Sequence, residues 1–361
     1  MGRTLRLVDL FSGCGGLTRG FLDAALVPGV RARFKVLAAV EHDHAAAASY
    51  AANFGRDHLF HQDIEEWDDI PSADVVVGGP PCQGFSDLGR RDPLDPRNTL
   101  WREYLRTLER IRPDYFVIEN VAAFLRSPEW EMLKAQEGRG PLREYRLTAS
   151  VLDAAAYGVP QRRRRAVVVG RRRSVPPLPA FRPTITQEGL YNSVGDAFRL
   201  LEETAGEPVP DLPDATYEFD SRELPGAFKT HQLHVTREVQ SVTRERIEAI
   251  PPGGSRADLP DELLAPCWRR HKSGQMDVMG RLRWDKPSVT IRTEFFKPEK
   301  GRFLHPSDHR PITPAEAAIL QSFPLDHQWC GNRAQIARQI GNAVPPLLAR
   351  AIGVTIARQY G

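Results

Sequence analysis

Cysteine is sparse and scattered in this chain. Cys14, Cys82, Cys267 and Cys330 are the only four in 361 residues, and no two form a C-x-x-C pair. That suggests neither a disulfide framework nor a thiolate zinc cage, so free thiols in a reducing compartment and no metal are expected. No window of 18 or more apolar residues occurs, and the start MGRTLRLVDLFSG lacks the apolar stretch of a signal peptide. A soluble protein without an export signal or membrane contact is therefore expected. Repeats, low-complexity tracts and heptads are also missing. With 41% apolar and 26% charged residues, 28 Gly and 30 Pro, the chain is neither disordered nor collagen-like. Its length suffices for one full core and a smaller satellite domain.

Lysine is scarce too: of 49 cationic residues only 7 are Lys and 42 are Arg, against 46 acids, for a net charge of +3. The balance by segment is 14 against 18 over residues 1–120, 12 against 5 over 121–173, 18 against 21 over 174–308, and 5 against 2 over 309–361. Cations thus concentrate in 121–173. Arginine suits bidentate phosphate contact better than lysine does, although the same balance fits a solvated surface.

The order of elements indicates an α/β fold. Leu5–Phe11 is a short apolar run that ends in Ser12-Gly13-Cys14-Gly15-Gly16 and is followed by a helix-like stretch to Leu26. Val36–Val40 leads to Glu41 and an alanine-rich helix over Asp43–Asn53. Asp74–Val77 stops at Gly78-Gly79-Pro80-Pro81-Cys82, Tyr115–Ile118 stops at Glu119-Asn120, and Arg165–Val169 forms a further β-branched run. Strands alternating with helices predict a mainly parallel, helix-covered sheet whose strand ends open into chemically unusual loops. From Arg173 to Asp308 the pattern turns irregular and rich in Pro and Gly, as expected of a second domain or large insertion. Helix signals return at Thr313 as N-cap, with Pro314 first and Glu316 third, and a last helix is expected over Pro345–Ala357.

Four groups at strand ends could carry chemistry. The glycine loop would let backbone amides approach a ligand, though its G-x-G-G spacing lacks the sixth-position glycine of a dinucleotide fingerprint and also fits a plain turn. Glu41 stands where an acid accepts ribose hydroxyls, and Asp63 is either an adenine-edge acceptor or the cap of the next turn. Cys82, after two prolines in a loop, has the setting of a nucleophile; Cys14, Cys267 and Cys330 read as structural. Glu119 would share the carboxyl edge with Cys82. In Gln161-Arg162-Arg163-Arg164-Arg165, alternation puts Arg163 and Arg165 on one face and Arg162 and Arg164 on the other, one pair toward a site and one toward solvent or phosphate. A thiolate, an acid and two arginines at one edge can attack, protonate and hold a planar electrophile.

In order and along nearly its whole length, the chain resembles the DNA (cytosine-5)-methyltransferase family of restriction-modification systems. The resemblance rests on DLFSGCGG at 9–16, Glu41, Asp63, GGPPCQGFS at 78–86, DPRNTL at 95–100, ENV at 119–121, YGVPQRRRR at 157–165, RPITPAEAAILQSFP at 310–324 and QIGNAVPP at 339–346. It implies a Rossmann-like S-adenosylmethionine-binding catalytic domain over 1–185 and a smaller, irregular target-recognition domain over 186–308. A C-terminal segment, 309–361, would return to the catalytic domain. Phe11, Gly13, Cys14, Gly15 and Gly16 would hold S-adenosylmethionine, with Glu41 on its ribose, His42 near the adenine face and Asp63 and Ile64 at the adenine edge. Pro81, Leu100, Asn342 and Ala343 would complete that pocket. Cys82 would be the nucleophile, Glu119 the acid at cytosine N3 and N4, Arg165 the contact to O2 and Arg163 its support. Gln83, Ser86, Arg162 and Arg164 would meet DNA. The departures are Arg164 where relatives often have Glu, Ala343 for Ser and His42 for Trp.

Such an enzyme would add the Cys82 thiolate to C6 of a cytosine extruded from the duplex, making C5 nucleophilic toward the methyl group. Arg162–Arg173 and the insertion cations Arg269, Arg270, Lys272, Arg281 and Arg283 would mostly meet phosphates, while side chains between about 220 and 300 read bases. The resemblance also implies a monomer on double-stranded DNA in a bacterial cytoplasm, at the nucleoid. A companion restriction endonuclease would act on the same site without a stable complex. The alternatives are a transfer-RNA cytosine methyltransferase and a catalytically silent DNA-binding protein on the same scaffold.

Overall fold

A computed structural model describes residues 2–80, 99–202, 211–270 and 276–361. The chain divides into two compact units. One contains residues 1–157, 163–184 and 344–361; the other contains 158–162 and 185–343. The segment expected to rejoin the first unit from residue 309 does so from Val344, and residues 309–343 pack within the second.

The first unit is built on a seven-stranded sheet. In chain order it comprises β1 (Thr4–Leu10), α1 (Gly16–Asp23), β2 (Arg33–Glu41), α2 (His44–Phe54), β3 (Leu59–His61), β4 (Val75–Gly78), α3 (Thr99–Ile111), β5 (Tyr115–Val121), α4 (Pro128–Ala135), β6 (Tyr145–Asp153) and β7 (Arg164–Arg172). The strand order is β3-β2-β1-β4-β5-β7-β6. The first five strands run parallel, while β7 is antiparallel to both β5 and β6. Both faces of β4 and the first six residues of β5 are buried, which is why VVVG and YFVIEN read as continuous apolar runs. The chain reverses direction across the sheet between β1 and β4, and open α/β sheets bind ligands at such a switch point, outside the carboxyl ends of the strands.

β6 is absent from the sequence reading because exposed and buried positions mix along YRLTASVLD, as befits an edge strand. Glu119 and Asn120 lie within β5, not after it: the antiparallel ladder to β7 continues to Val121.

The second unit carries α5 (Val194–Glu202), the hairpin β8 (Thr216–Phe219) and β9 (Arg222–Pro225), α6 (Ser241–Ala249), α7 (Pro266–Arg270), α8 (Pro314–Leu320) and α9 (Arg333–Asn342). Long irregular stretches separate them. Thr313 and Glu316 form the expected capping box at α8. The last helix, α10 (Pro346–Ala357), docks on α1 in the first unit; a Cβ on Gly20 would lie 2.4 Å from Ala349 Cβ and the Pro346 carbonyl. Arg333–Tyr360 is long and apolar enough by composition to cross a membrane, but 67% of its most apolar window is buried in the protein.

The irregular unit is organised by a buried cation. Arg281, 1% exposed, donates to the carbonyls of Ile247, Ile250, His305 and Asp308. Arg281 is therefore not the phosphate contact expected from sequence: its guanidinium ties together backbone from four positions of this unit. Truncating it would strand several buried carbonyls, so Arg281→Ala should cost roughly 3–5 kcal/mol, measured as a lowered urea-unfolding midpoint.

Candidate active site

The glycine loop leaves β1 at the switch point with Phe11, Gly13 and Gly15 all at positive φ. A Cβ on Gly15 would sit 2.2 Å from the Phe54 ring, whereas Gly13 faces open space, so its backbone stays approachable. Glu41, at the end of β2, holds this loop. Its Oε2 accepts the Gly13 amide at 2.8 Å and its Oε1 accepts the Asp43 amide at 2.7 Å. Each oxygen keeps a second lone pair. Burial pushes the Glu41 carboxyl upward, opposed by these two amides. His42 is exposed, with Nδ1 3.4 Å from Glu41 Oε1. Phe11 and Leu100 are partly buried against the main core and Ile64 lies within it. Cys14 is buried, and its thiol is pushed up to about 12 by desolvation, which makes it chemically inert. Asp63 caps the turn after β3, accepting the Glu65 amide at 3.0 Å, and remains exposed. Asn342 and Ala343 belong to the second unit.

The opposite wall of the switch point is the end of β4. Pro81, Cys82, Gln83 and Ser86 lie outside the described residues, but the approach to them is visible. The Asn120 Nδ2 donates to the Pro80 carbonyl at 3.1 Å. Glu119 Oε2 lies 3.5 Å from where a Cβ on Gly79 would project.

Next to this loop the arginine alternation holds. Arg163 is buried and Arg165 partly buried, while Arg162 and Arg164 are exposed. Val121 pairs with Arg165 across the antiparallel ladder, which makes Glu119 and Arg165 diagonal neighbours on one face. Glu119 Oε1 lies 3.1 Å from Arg165 Nε and is not aligned to accept a hydrogen bond from it. Burial pushes the Glu119 carboxyl above its ordinary value; Arg165 and Arg163 pull it back. Burial and Arg165 likewise push Arg163 down, with Glu119 acting against them. The result is a desolvated acid between two cations, suited to holding and donating a proton to a planar base.

The other arginines divide by place. Arg162 pairs with Glu188 at 3.1 Å and lies over the Tyr191 ring, both within the second unit. Arg171 and Arg172 sit at the far end of β7, across the ladder from the starts of β5 and β6, away from the end that carries Arg164 and Arg165. Sequence reasoning also missed Asn120 as the anchor of the proline loop; only its place after Glu119 hinted at it. Among the described residues no cluster of His, Cys, Asp and Glu could hold a metal.

Comparison with known proteins bears on the same arrangement. A family model described as C-5 cytosine-specific DNA methylase matches residues 5–358. The chain belongs to that family. It is 33% identical to the type II methyltransferase M1.HphI of Haemophilus parahaemolyticus, over 98% of this chain and 87% of that one. It is 30% identical to the type II methylase M.HgiDII of Herpetosiphon aurantiacus, over 98% and 95%. Among solved structures, an Escherichia coli prophage protein described as a DNA modification methyltransferase shares the fold with a TM-score of 0.71 and 23% identity, covering 98% of this chain and 99% of that one. This DNA cytosine-5 methylase is thus an enzyme that uses S-adenosylmethionine to methylate C5 of cytosine in DNA.

Proposed function

We propose that this methylase acts on cytosine extruded from a specific duplex sequence, through a covalent bond between Cys82 and C6. The observation that carries the residue assignment is the meeting of Glu119, Arg165 and the start of the proline loop. Asn120 holds Pro80, two residues before Cys82 in sequence, beside the buried acid.

The chemistry follows from cytosine. C5 is a weak nucleophile while the ring is aromatic. Addition of the Cys82 thiolate across C6, with Glu119 giving its proton to N3, makes C5 enamine-like. Arg165 holds O2 and, with Arg163, tunes Glu119. Once C5 carries the methyl group, the N3 proton returns to Glu119, the C5 proton leaves to a water or hydroxide, and elimination of the Cys82 thiolate restores the aromatic ring. S-adenosylmethionine supplies the electrophilic methyl group and leaves as S-adenosylhomocysteine. Phe11, Gly13, Gly15 and Glu41 fit such a ligand: an approachable backbone lies beside a carboxylate with free lone pairs. His42, Asp63, Ile64, Leu100, Asn342 and Ala343, with Cys14, Gly16 and Pro81, complete the assignment.

Gln83, Ser86, Arg162 and Arg164 are assigned to DNA. Recognition is assigned to 186–308 and catalysis to 1–185, with 309–361 as the C-terminal segment. The relatives are bacterial proteins named as type II methyltransferases. That supports a bacterial DNA methylase; a monomer on duplex DNA at the nucleoid, with a companion restriction endonuclease acting on the same site without a stable complex, completes the reading.

Labelled methyl transfer to duplex DNA, with transfer RNA as the control, tests the substrate; incorporation only into RNA would refute it. Bisulfite sequencing of the product identifies the site. Glu41→Ala removes both the proposed ribose acceptor and the clamp on Gly13, so S-adenosylmethionine affinity should fall about 10- to 100-fold by calorimetry; undiminished affinity would remove Glu41 from the pocket.

A further inference from the structure

Beneath the glycine loop lies a file of side-chain hydrogen bonds that the methyl-transfer mechanism does not use. Asp9, on β1, is fully buried. Its Oδ2 accepts the Thr18 hydroxyl of α1 at 2.7 Å; Thr18 Oγ1 is 3.1 Å from the Tyr50 hydroxyl of α2; and Tyr50 is 3.3 Å from Nε2 of His58. Asp9 Oδ1 is buried with no hydrogen-bond partner, and among the described residues no Lys or Arg pairs with the carboxylate. Asp9 and Thr18 stand on the two legs of the loop, one in the strand before it and one in the first turn of the helix after it. Their contact is a staple across Phe11–Gly15.

We propose that Asp9 is a positioning residue for the cofactor loop and that its proton leaves and returns along Thr18, Tyr50 and His58. This rests on the cofactor assignment above.

Each hydroxyl has a single proton, which fixes the order of donors. With Asp9 ionised, Thr18 donates to Asp9, Tyr50 donates to Thr18, and His58 donates from Nε2 to Tyr50. With Asp9 protonated on Oδ2 every bond reverses, and neutral His58 accepts at Nε2 while its proton sits on Nδ1. Deprotonation therefore moves one proton along each link and releases the Nδ1 proton of His58 to water. Atoms and charge balance, and the two end states differ in the His58 tautomer.

The ionised form is the better staple. A carboxylate accepts more strongly than a neutral acid, and its charge faces the start of α1, where helix amides favour an anion. It also favours a cationic sulfonium over the neutral sulfide of the product. The surroundings place the change near neutrality. Burial raises Asp9 to about 7, with Glu41 adding to the rise and the Thr18 hydroxyl and amide opposing it. The other groups facing it are the Cys14 thiol, Tyr50, and Tyr104 on α3, whose hydroxyl is committed to the Val117 carbonyl. At the outer end, burial lowers His58 and Asp57 pulls it back up.

The test uses the full chain labelled with nitrogen-15 histidine, with His58→Gln to assign the signal. From about pH 8 to about pH 6 the His58 imidazole should switch from the Nε2–H to the Nδ1–H tautomer. In Tyr50→Phe, which severs the file at its middle, the switch should vanish. By calorimetry, the preference for S-adenosylmethionine over S-adenosylhomocysteine should fall roughly tenfold over the same range and be flat in Asp9→Asn. If Asp9→Asn does not fold, Tyr50→Phe carries the test alone. A tautomer that is constant in the wild type, or that still switches in Tyr50→Phe, overturns the proposal. So does a preference that titrates unchanged in Asp9→Asn. Failure to bind S-adenosylmethionine at any pH would instead overturn the cofactor assignment.

Discussion

Cys82→Ser should abolish turnover, by at least about 10⁴-fold, while duplex affinity stays near that of the wild type. The hydroxyl keeps the shape of the thiol but has almost no anionic form at neutral pH, so addition to C6 stops before any methyl group can move. A second readout separates loss of chemistry from loss of fold. Wild-type protein mixed with cofactor and duplex DNA carrying 5-fluorocytosine should form a complex that survives denaturing electrophoresis, because fluorine at C5 cannot leave as a proton does. The Ser variant should form none. Equal turnover in Cys82→Ser, or trapping by the variant, would remove Cys82 from the mechanism.

Glu119→Gln is the second large effect. The amide preserves volume and can still hydrogen-bond to the base, but it has no acidic proton to give. The single-turnover rate should fall by about 10²–10⁴ with cofactor binding intact. The pH profile adds a sign. Burial holds the Glu119 carboxyl above its ordinary value, so the protonated fraction survives to higher pH and then declines as pH rises through that raised value. The wild-type rate should therefore drop on its alkaline side, and Glu119→Gln should lack that limb. A near-unchanged single-turnover rate would take Glu119 out of the reaction.

Much of this site was legible before any coordinates. Strand ends were marked by glycines and prolines, and alternation through Arg162–Arg165 divided the arginines into the two pairs that the strand separates, one of them more buried than the other. The capping box at Thr313 and Glu316 was equally plain, because a cap is a local interaction between residues three apart. What escaped was non-local. Nothing in GRLRWD says that Arg281 is surrounded by carbonyls, since those carbonyls come from residues 24 to 34 positions away. Charge alone suggested phosphate. Arg171 and Arg172 were grouped with Arg162–Arg165 because they are close in sequence, yet a strand carries its two ends apart at about 3.3 Å per residue. Asp9 looked like one more residue of an apolar strand, and Tyr50 and His58 had no visible reason to be joined to it.

The order of the sheet sets the scale of the chemistry. The glycine loop, the proline loop and Glu119 belong to β1, β4 and β5, three consecutive parallel strands. Neighbouring strands are about 4.8 Å apart, so the groups proposed as cofactor loop and acid, and the strand that leads to the proposed nucleophile, are spaced by a backbone lattice instead of by side-chain packing. Loops and the second unit can then diverge without altering those intervals, whereas a strand inserted between β4 and β5 would part Glu119 from the strand that leads to the proposed thiol even with every side chain kept.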